Sequence, residues 1–239
     1  MIFFCTVSRS QITEYFTGER CYHYNAIYID PTGDTITNET LKILPTKRRW
    51  IFQPGKQRVV KYIYNTDTSQ YKNYIDPDNF FEEKNEKYYE RKNRYRLRKV
   101  EKTGGYFKDS VFYMHPPRTN QYRMLFYSVH PYFELRSLNR KHDTFEGRSL
   151  KILGMGKFTH NFIVDSLGKI KFAEAELNLW EVNVESTLDP ATDYFDQNKW
   201  KYKSTFEGLF CKEYGYIEMK YEFETGVKIE FRLKKIEEL

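Results

Sequence analysis

Apolar and polar residues alternate with a period of two along the last part of the chain, on both sides of a glycine turn. The apolar positions are Ile217, Met219, Tyr221 and Phe223 before the turn, and Val227, Ile229, Phe231 and Leu233 after it. This alternation predicts an antiparallel hairpin around residues 224–226, with one buried face and one solvated face. The intervening residues are mainly acidic before the turn and mainly basic after it, which favours cross-strand ion pairs.

A second long strand, residues 170–185, changes phase near its middle. Ala173, Ala175, Leu177 and Leu179 share one parity, whereas Trp180, Val182 and Val184 take the other. A parity change within one apolar run is typical of a β-bulge, and bulges allow a sheet to curl. We expect the turn before this strand at residues 165–168, which include Gly168.

Shorter strands are expected elsewhere in the chain. The pattern predicts strands at residues 21–29, 58–65 and 200–211, and a hairpin whose strands, 95–101 and 106–114, flank a turn at residues 103–105. The chain also contains 21 Tyr and 19 Phe, and aromatic residues favour strands. We therefore predict a mainly all-β fold, a curved antiparallel sheet or an incompletely closed β-barrel with little helix. It is expected to be a single domain over residues 1–239, with residues 1–20 as a disordered or anchoring segment.

Charge and hydropathy exclude a polytopic membrane protein and leave a nucleic-acid-binding protein to be considered. Charged residues make up 30% of the 239 positions and the mean hydropathy is −0.77, with no run of about 20 apolar residues that a membrane-spanning helix needs. The net charge is +6, and positive charge is concentrated in a basic stretch at residues 84–102 that also contains several tyrosines. Basic groups and stackable rings could bind single-stranded nucleic acid. Glutamates dilute the same stretch, however, so a solvated strand is the favoured interpretation and a nucleic-acid partner is not expected.

The first residues and the cysteines bear on location. An apolar run ends at Cys5 and is followed by a polar stretch, as at the end of a lipoprotein signal whose cysteine becomes acylated. The alternative is a short buried strand with a free thiol. Cys21 and Cys211 could then pair as a disulfide in an oxidising envelope, or remain free thiols in a reducing compartment.

The most individual motif is Met114-His115-Pro116-Pro117-Arg118. Two prolines restrict the backbone and extend the residue before them, so the motif forms a rigid corner at the end of a strand. His115 and Arg118 could bind an anion there, since a guanidinium offers a planar fork of donors. The favoured alternative is a purely structural corner.

This motif, entered from the strand 109–114, resembles a mid-chain motif of uncharacterised secreted proteins and lipoproteins of Bacteroidota. The C-terminal segment 210–217, which leads into a hairpin rich in Tyr and Gly, resembles the β-meander that ends those proteins. The resemblance covers roughly residues 95–236. It implies a β fold and an envelope location, and it implies no activity, because the function of that family is itself unknown.

No catalytic or metal-binding pattern stands out in the sequence. There is no G-x-S-x-G motif, no Cys/His pattern with zinc spacing, and no dinucleotide-binding glycine motif, so no cofactor is expected. We interpret the chain as a non-enzymatic cell-envelope protein, in the periplasm or lipid-anchored at the outer membrane, with a cytoplasmic location as the alternative. Its curved sheet would hold an apolar ligand or an envelope protein, and it would touch the membrane only through the anchor. A hydrolase or transferase built around His115 and Arg118 is the second hypothesis.

Overall fold

The computed structural model describes residues 19–50, 57–65, 99–108, 111–147, 150–152, 156–172, 175–190 and 203–239. These residues form thirteen strands: β1 (Arg20–Ile29), β2 (Thr35–Arg49), β3 (Arg58–Tyr64), β4 (Val100–Lys108), β5 (Val111–Met114), β6 (Tyr132–Glu134), β7 (His142–Glu146), β8 (Leu150–Ile152), β9 (Gly156–Phe172), β10 (Ala175–Pro190), β11 (Ser204–Cys211), β12 (Gly215–Phe223) and β13 (Lys228–Glu238). Two 3-10 helices, Asn120–Tyr127 and Leu135–Asn139, flank β6.

All strands belong to one antiparallel sheet. Its order is β6-β5-β4-β3-β2-β1-β13-β12-β11-β10-β9-β7, and β8 also pairs with β9. The sheet is curved but not closed by hydrogen bonds, since β6 and β7 are its two ends. The prediction of an all-β curved antiparallel sheet with little helix is confirmed. In the part of the chain that the structure describes, no helix is long and apolar enough to cross a membrane.

The C-terminal hairpin matches its prediction closely. All eight apolar residues of the alternating pattern are at most 8% exposed. Gly226 has a φ of +88°, a left-handed conformation that favours glycine, and it closes the turn by donating to the carbonyl of Phe223 at 2.8 Å. On the solvated face, Arg232 lies opposite Glu218 and the two side chains form an ion pair at 3.1 Å.

The predicted bulge is confirmed, but the predicted turn before it is wrong. The register between β9 and β10 shifts between Leu179 and Trp180, and Leu167 is the extra residue on β9. Residues 165–168 are therefore the bulged part of one continuous strand. Gly168 has a φ of +73°, a left-handed conformation that glycine adopts readily. It lies at the bulge, and the chain does not reverse direction there.

A second predicted turn, at residues 103–105, is wrong for a different reason. β4 runs straight through these residues, and Gly104 pairs with Val59 on β3. A Cβ atom at Gly104 would lie 2.0 Å from Oε1 of Gln57 and 3.0 Å from Cδ1 of Trp50. The glycine is needed because other side chains approach the backbone there, and glycine serves that role as readily as a turn.

The inner face of the sheet is filled by the chain's own connection between β5 and β6. Tyr122 and Leu125, on the first 3-10 helix, are completely buried. The Tyr122 ring lies 5.9 Å from that of Tyr64 on β3 and 5.4 Å from that of Phe231 on β13. We call residues 115–131 the internal segment.

The two ends of the sheet meet through side chains. The Tyr132 ring of β6 lies 6.0 Å from the Phe145 ring of β7 and 5.5 Å from the Phe162 ring of β9. Phe145 and Phe162 stack on each other with ring centroids 4.9 Å apart. We call this contact between β5–β6 and β7–β9 the seam, because hydrophobic packing takes the place of strand pairing there.

Candidate functional site

The corner at residues 114–118 is held from three directions. The backbone amide of Met114 donates to the carbonyl of Pro131 at 3.0 Å, and that of His115 donates to the carbonyl of Gly104 at 3.1 Å. The hydroxyl of Tyr62 donates to the carbonyl of His115 at 2.5 Å. The corner therefore directs the chain from the end of β5 into the internal segment.

Three histidines and a tyrosine come together at the seam: Tyr113, His115, His130 and His160, which we call the seam cluster. The Tyr113 hydroxyl lies 3.1 Å from Nδ1 of His115 and 2.8 Å from Nδ1 of His130. The two imidazole rings are 4.9 Å apart, edge to face. A tyrosine hydroxyl has one proton, so it donates to one ring and accepts from the other.

Burial keeps the three histidines of the seam cluster uncharged. It lowers the pKa of His115 to about 3, with a smaller contribution from the guanidinium of Arg118. The pKa of His130 lies well below its usual range because of burial first, and then of His115, Arg118 and His160. Burial alone lowers the pKa of His160 to about 4. At neutral pH, all three imidazoles are neutral hydrogen-bonding groups.

The geometry of the seam cluster suits packing and hydrogen bonding better than catalysis. No hydrogen bond joins its histidines to a carboxylate or to a serine, threonine or cysteine within the described residues, so no nucleophile is activated there. Nε2 of His130 and Nδ1 of His160 are buried without a protein partner. Across the described ranges, no group of three or more His, Cys, Asp or Glu side chains is arranged to hold a metal ion.

The hydrogen-bond and ion-pair partners of Arg118 lie outside this cluster. Its Nη2 donates to Oγ1 of Thr103 at 2.9 Å, and its Nε lies 3.8 Å from Oε1 of Glu101. The Glu101 carboxylate is only 5% exposed. Its Oε2 also accepts from the backbone amide of Arg118 at 2.9 Å and from the hydroxyl of Tyr64 at 2.6 Å. The guanidinium therefore neutralises a buried carboxylate that belongs to the sheet.

A second buried carboxylate holds the first 3-10 helix in place. Glu39 on β2 accepts hydrogen bonds from Nε2 of Gln121 and, at 2.8 Å, from the hydroxyl of Tyr122. Buried carboxylates are tolerated when they are hydrogen-bonded in this way. Glu39 and Glu101 thus tie the internal segment to the inner face of the sheet.

The structure brings together only part of what the sequence suggested. His115 and Arg118 both lie at the predicted corner, but their side chains bind different partners, and their predicted role in ligand binding stays a prediction. Sequence reasoning missed Tyr113, His130, His160 and Glu101. Strand alternation could have placed Glu101 on the inner face, whereas nothing in the sequence relates His115 to His160.

The cysteine predictions have a separate outcome. Cys21 on β1 and Cys211 on β11 are both buried free thiols, and β13 and β12 lie between their strands. The suggested disulfide is not formed in this structure. Burial raises the pKa of the Cys211 thiol to about 12, which makes it unreactive. Cys5 and residues 84–98 of the basic stretch lie outside the described residues.

Replacing Arg118 by lysine tests whether the corner binds anions. Because the guanidinium is paired with Glu101 and Thr103, we expect phosphate to raise the melting temperature of the wild type and of Arg118→Lys by the same amount. Anions stabilise many proteins by exclusion from the surface, so the difference between the two proteins at matched phosphate and ionic strength is the informative measurement. A smaller phosphate effect in Arg118→Lys would show that the planar fork binds an anion.

Together these observations define an all-β protein whose curved sheet is filled by its own chain and sealed along a histidine-rich seam. No protein-family model and no curated protein sequence matches the chain. Solved structures that resemble it include two from Bacteroidota. One is a "putative exported protein with YmcC-like fold" from Bacteroides fragilis, at 9% identity and a TM-score of 0.41, covering 93% of this chain and 97% of that one. The other is a "putative lipoprotein" from Parabacteroides distasonis, at 7% identity and a TM-score of 0.44, covering 93% of this chain and 96% of that one. Both come from the bacterial group of the resemblance given above, and neither carries an assigned activity.

Proposed function

We propose that this chain is a non-enzymatic protein of the cell envelope, anchored by a lipid on Cys5, whose curved sheet contacts a protein partner through its outer surface. The observation that carries the proposal is the filled inner face. The internal segment occupies that face with Tyr122 and Leu125, which are completely buried, and it uses both inward carboxylates of β2 and β4 as its own anchors.

The filled inner face favours a protein partner over an apolar ligand. A ligand in the concavity would have to displace Tyr122 from between Tyr64 and Phe231, and would leave Glu39 without its two donors. Removing the partner of a buried polar group costs roughly 1–3 kcal/mol, and more for a charged group. The outer surface can bind a partner without any such cost.

The chemistry of the inner face also favours a non-enzymatic role. Arg118 is engaged by Glu101 and Thr103, and His115 is engaged by Tyr113. An enzyme built around His115 and Arg118 would first have to break these contacts.

The lipid anchor is tested by metabolic labelling. The gene, with its native upstream sequence, is expressed in its own host in the presence of an alkyne fatty acid, and the protein is isolated and conjugated to a fluorophore. We expect the label on the wild type and none on Cys5→Ala, because the cysteine thiol is the acylation site.

Cys21→Ala is the matched control, since it removes a buried thiol and leaves Cys5 in place. It should keep the label. A wild-type protein that carries no fatty acid, or a Cys5→Ala protein that keeps it, would overturn the proposed anchor.

A further inference from the structure

The outer surface of β2, β3 and β4 carries lysines and no carboxylate among its described side chains. Lys42, Lys61 and Lys102 point outward, because the residues immediately before and after each of them on its strand are buried on the inner face. The two carboxylates that these three strands contain, Glu39 and Glu101, both point inward. We call the outward side chains Lys42, Leu44, Lys61, Ile63, Val100 and Lys102 the basic face.

Two of these lysines lie directly opposite each other. Lys61 pairs in register with Lys102, and neither forms an ion pair with a described residue. Like charges directly opposite on neighbouring strands are destabilising. Opposed lysines lower the stability of the sheet, but they concentrate positive charge on its surface. Such a surface suits the binding of an anionic partner.

The basic face also carries apolar side chains. Val100 is 45% exposed and lies in register with Ile63, which lies in register with Lys42. Leu44 lies in register with Lys61, so each row combines an ammonium group with an aliphatic group. Such a mixture suits the boundary between lipid headgroups and acyl chains, where cations bind phosphates and aliphatic groups leave water.

The opposite part of the sheet has the opposite character. The outward residues of β10 to β13 include Glu181, Glu207, Glu218, Glu222 and Glu230. Several cations on these strands are paired, for example Lys228 with Glu222 at 3.3 Å and Arg232 with Glu218 at 3.1 Å. An anionic surface would therefore attract the molecule by β2–β4 and repel it by β10–β13.

The N-terminal connection reaches the sheet beside the basic face. β1 is antiparallel to β2, and Tyr22 lies opposite Ile43. Arg20, the first residue of β1, therefore lies near the end of β2 that carries Leu44, which is in register with Lys61 on β3. Cys5 precedes Arg20 by 15 residues, a length of at most about 50 Å when extended. A chain anchored at Cys5 can therefore bring this surface onto the membrane that holds it.

We infer that the basic face lies against the anionic phospholipid headgroups of the membrane in which the chain is anchored. The inference rests on the proposed lipid anchor. It orients the molecule, because it turns the carboxylate-rich surface of β10–β13 away from the membrane and leaves it open to the protein partner.

The test separates this surface from the anchor by using the full chain with Cys5→Ser, which cannot be acylated. Its binding is measured by co-sedimentation with vesicles of phosphatidylcholine alone and with vesicles that also contain phosphatidylglycerol. We expect binding to the anionic vesicles only, weakening as salt is raised. Lys61→Gln with Lys102→Gln should weaken that binding about thirty-fold, since each lysine near an anionic surface contributes about fivefold.

The control pair, Lys157→Gln with Lys228→Gln, removes the same charge from outward positions on β9 and β13 and should bind as well as the parent. Equal weakening by the two pairs would mean that net charge alone is sensed, and would overturn the inference. Equal binding to both kinds of vesicle, or to neither, would overturn it as well. Fatty-acid labelling at Cys5 is a separate readout, so the anchor and the basic face can fail independently.

Discussion

Acidification from about pH 7 to about pH 5 should lower the free energy of unfolding by on the order of 4 kcal/mol through His115 and His160 alone. Their pKa values in the folded protein are about 3 and about 4, and the unfolded value is about 6.5. Between these limits the unfolded chain binds protons that the folded chain does not. Stability from these residues is therefore complete above the unfolded pKa and is lost as the pH falls toward the folded values.

The measurement is urea unfolding at a series of pH values. His160→Gln and His115→Gln should each reduce the slope of stability against pH by up to about 1.4 kcal/mol per pH unit, because each removes one proton-binding group from the unfolded chain. His130 acts in the same direction, since its pKa is also lowered by burial. His142→Gln is the control, because the His142 side chain is 60% exposed.

Other groups act in a different range of pH. Asp143 is a carboxylate whose pKa is lowered from 3.8, so its contribution to stability is complete above about pH 5 and is lost progressively as the pH falls further. An unfolding free energy that stays constant between about pH 7 and about pH 5 would show that the seam histidines are charged or solvated in the folded protein. That result would contradict the burial of the seam cluster.

Phe133→Ala should cost about 3–5 kcal/mol of stability and lower the melting temperature by roughly 10 °C. Phe133 is completely buried on β6. Its ring stacks on that of Phe210 of β11 with centroids 3.9 Å apart, and it meets the edge of Trp180 of β10 at 6.4 Å. Truncation removes contacts between one end of the sheet and strands from its other half.

The matched control is Ile163→Ala, which removes an apolar side chain from β9 that is 45% exposed. Its cost should stay within about 0.5 kcal/mol. Both variants are measured by thermal unfolding at neutral pH, where the seam histidines are neutral. Similar costs for the two variants would mean that β6 is not packed against β10 and β11.

Much of the strand pattern could be predicted because it is a local property. Alternation with a period of two identified both strands of the C-terminal hairpin and their buried faces, and a parity change identified the bulge at Leu179 and Trp180. The predicted turns at Gly104 and Gly168 were wrong because glycine serves close approaches and bulges as well as turns. A sequence without its tertiary contacts does not distinguish these roles.

The candidate site could not be predicted in the same way. Glu101 faces inward by strand alternation, but its partner Arg118 comes from the internal segment, and that segment's path depends on the corner at His115. The anion-binding interpretation of Arg118 came from its position beside His115 in the motif. In the structure the guanidinium lies against Glu101, because a buried carboxylate is costly unless a cation and hydrogen-bond donors compensate its charge.

The sequence by itself determined that the fold is mainly β, that the C-terminal hairpin has one buried face, and that β10 changes phase at a bulge. Each of these follows from neighbours within a few residues. Only the tertiary structure decided that the internal segment fills the sheet and that His115, His130 and His160 meet at the seam. The three histidines meet because each strand is rotated slightly relative to its neighbour, and these rotations add up to the curvature of the whole sheet. A local sequence pattern does not determine that total curvature.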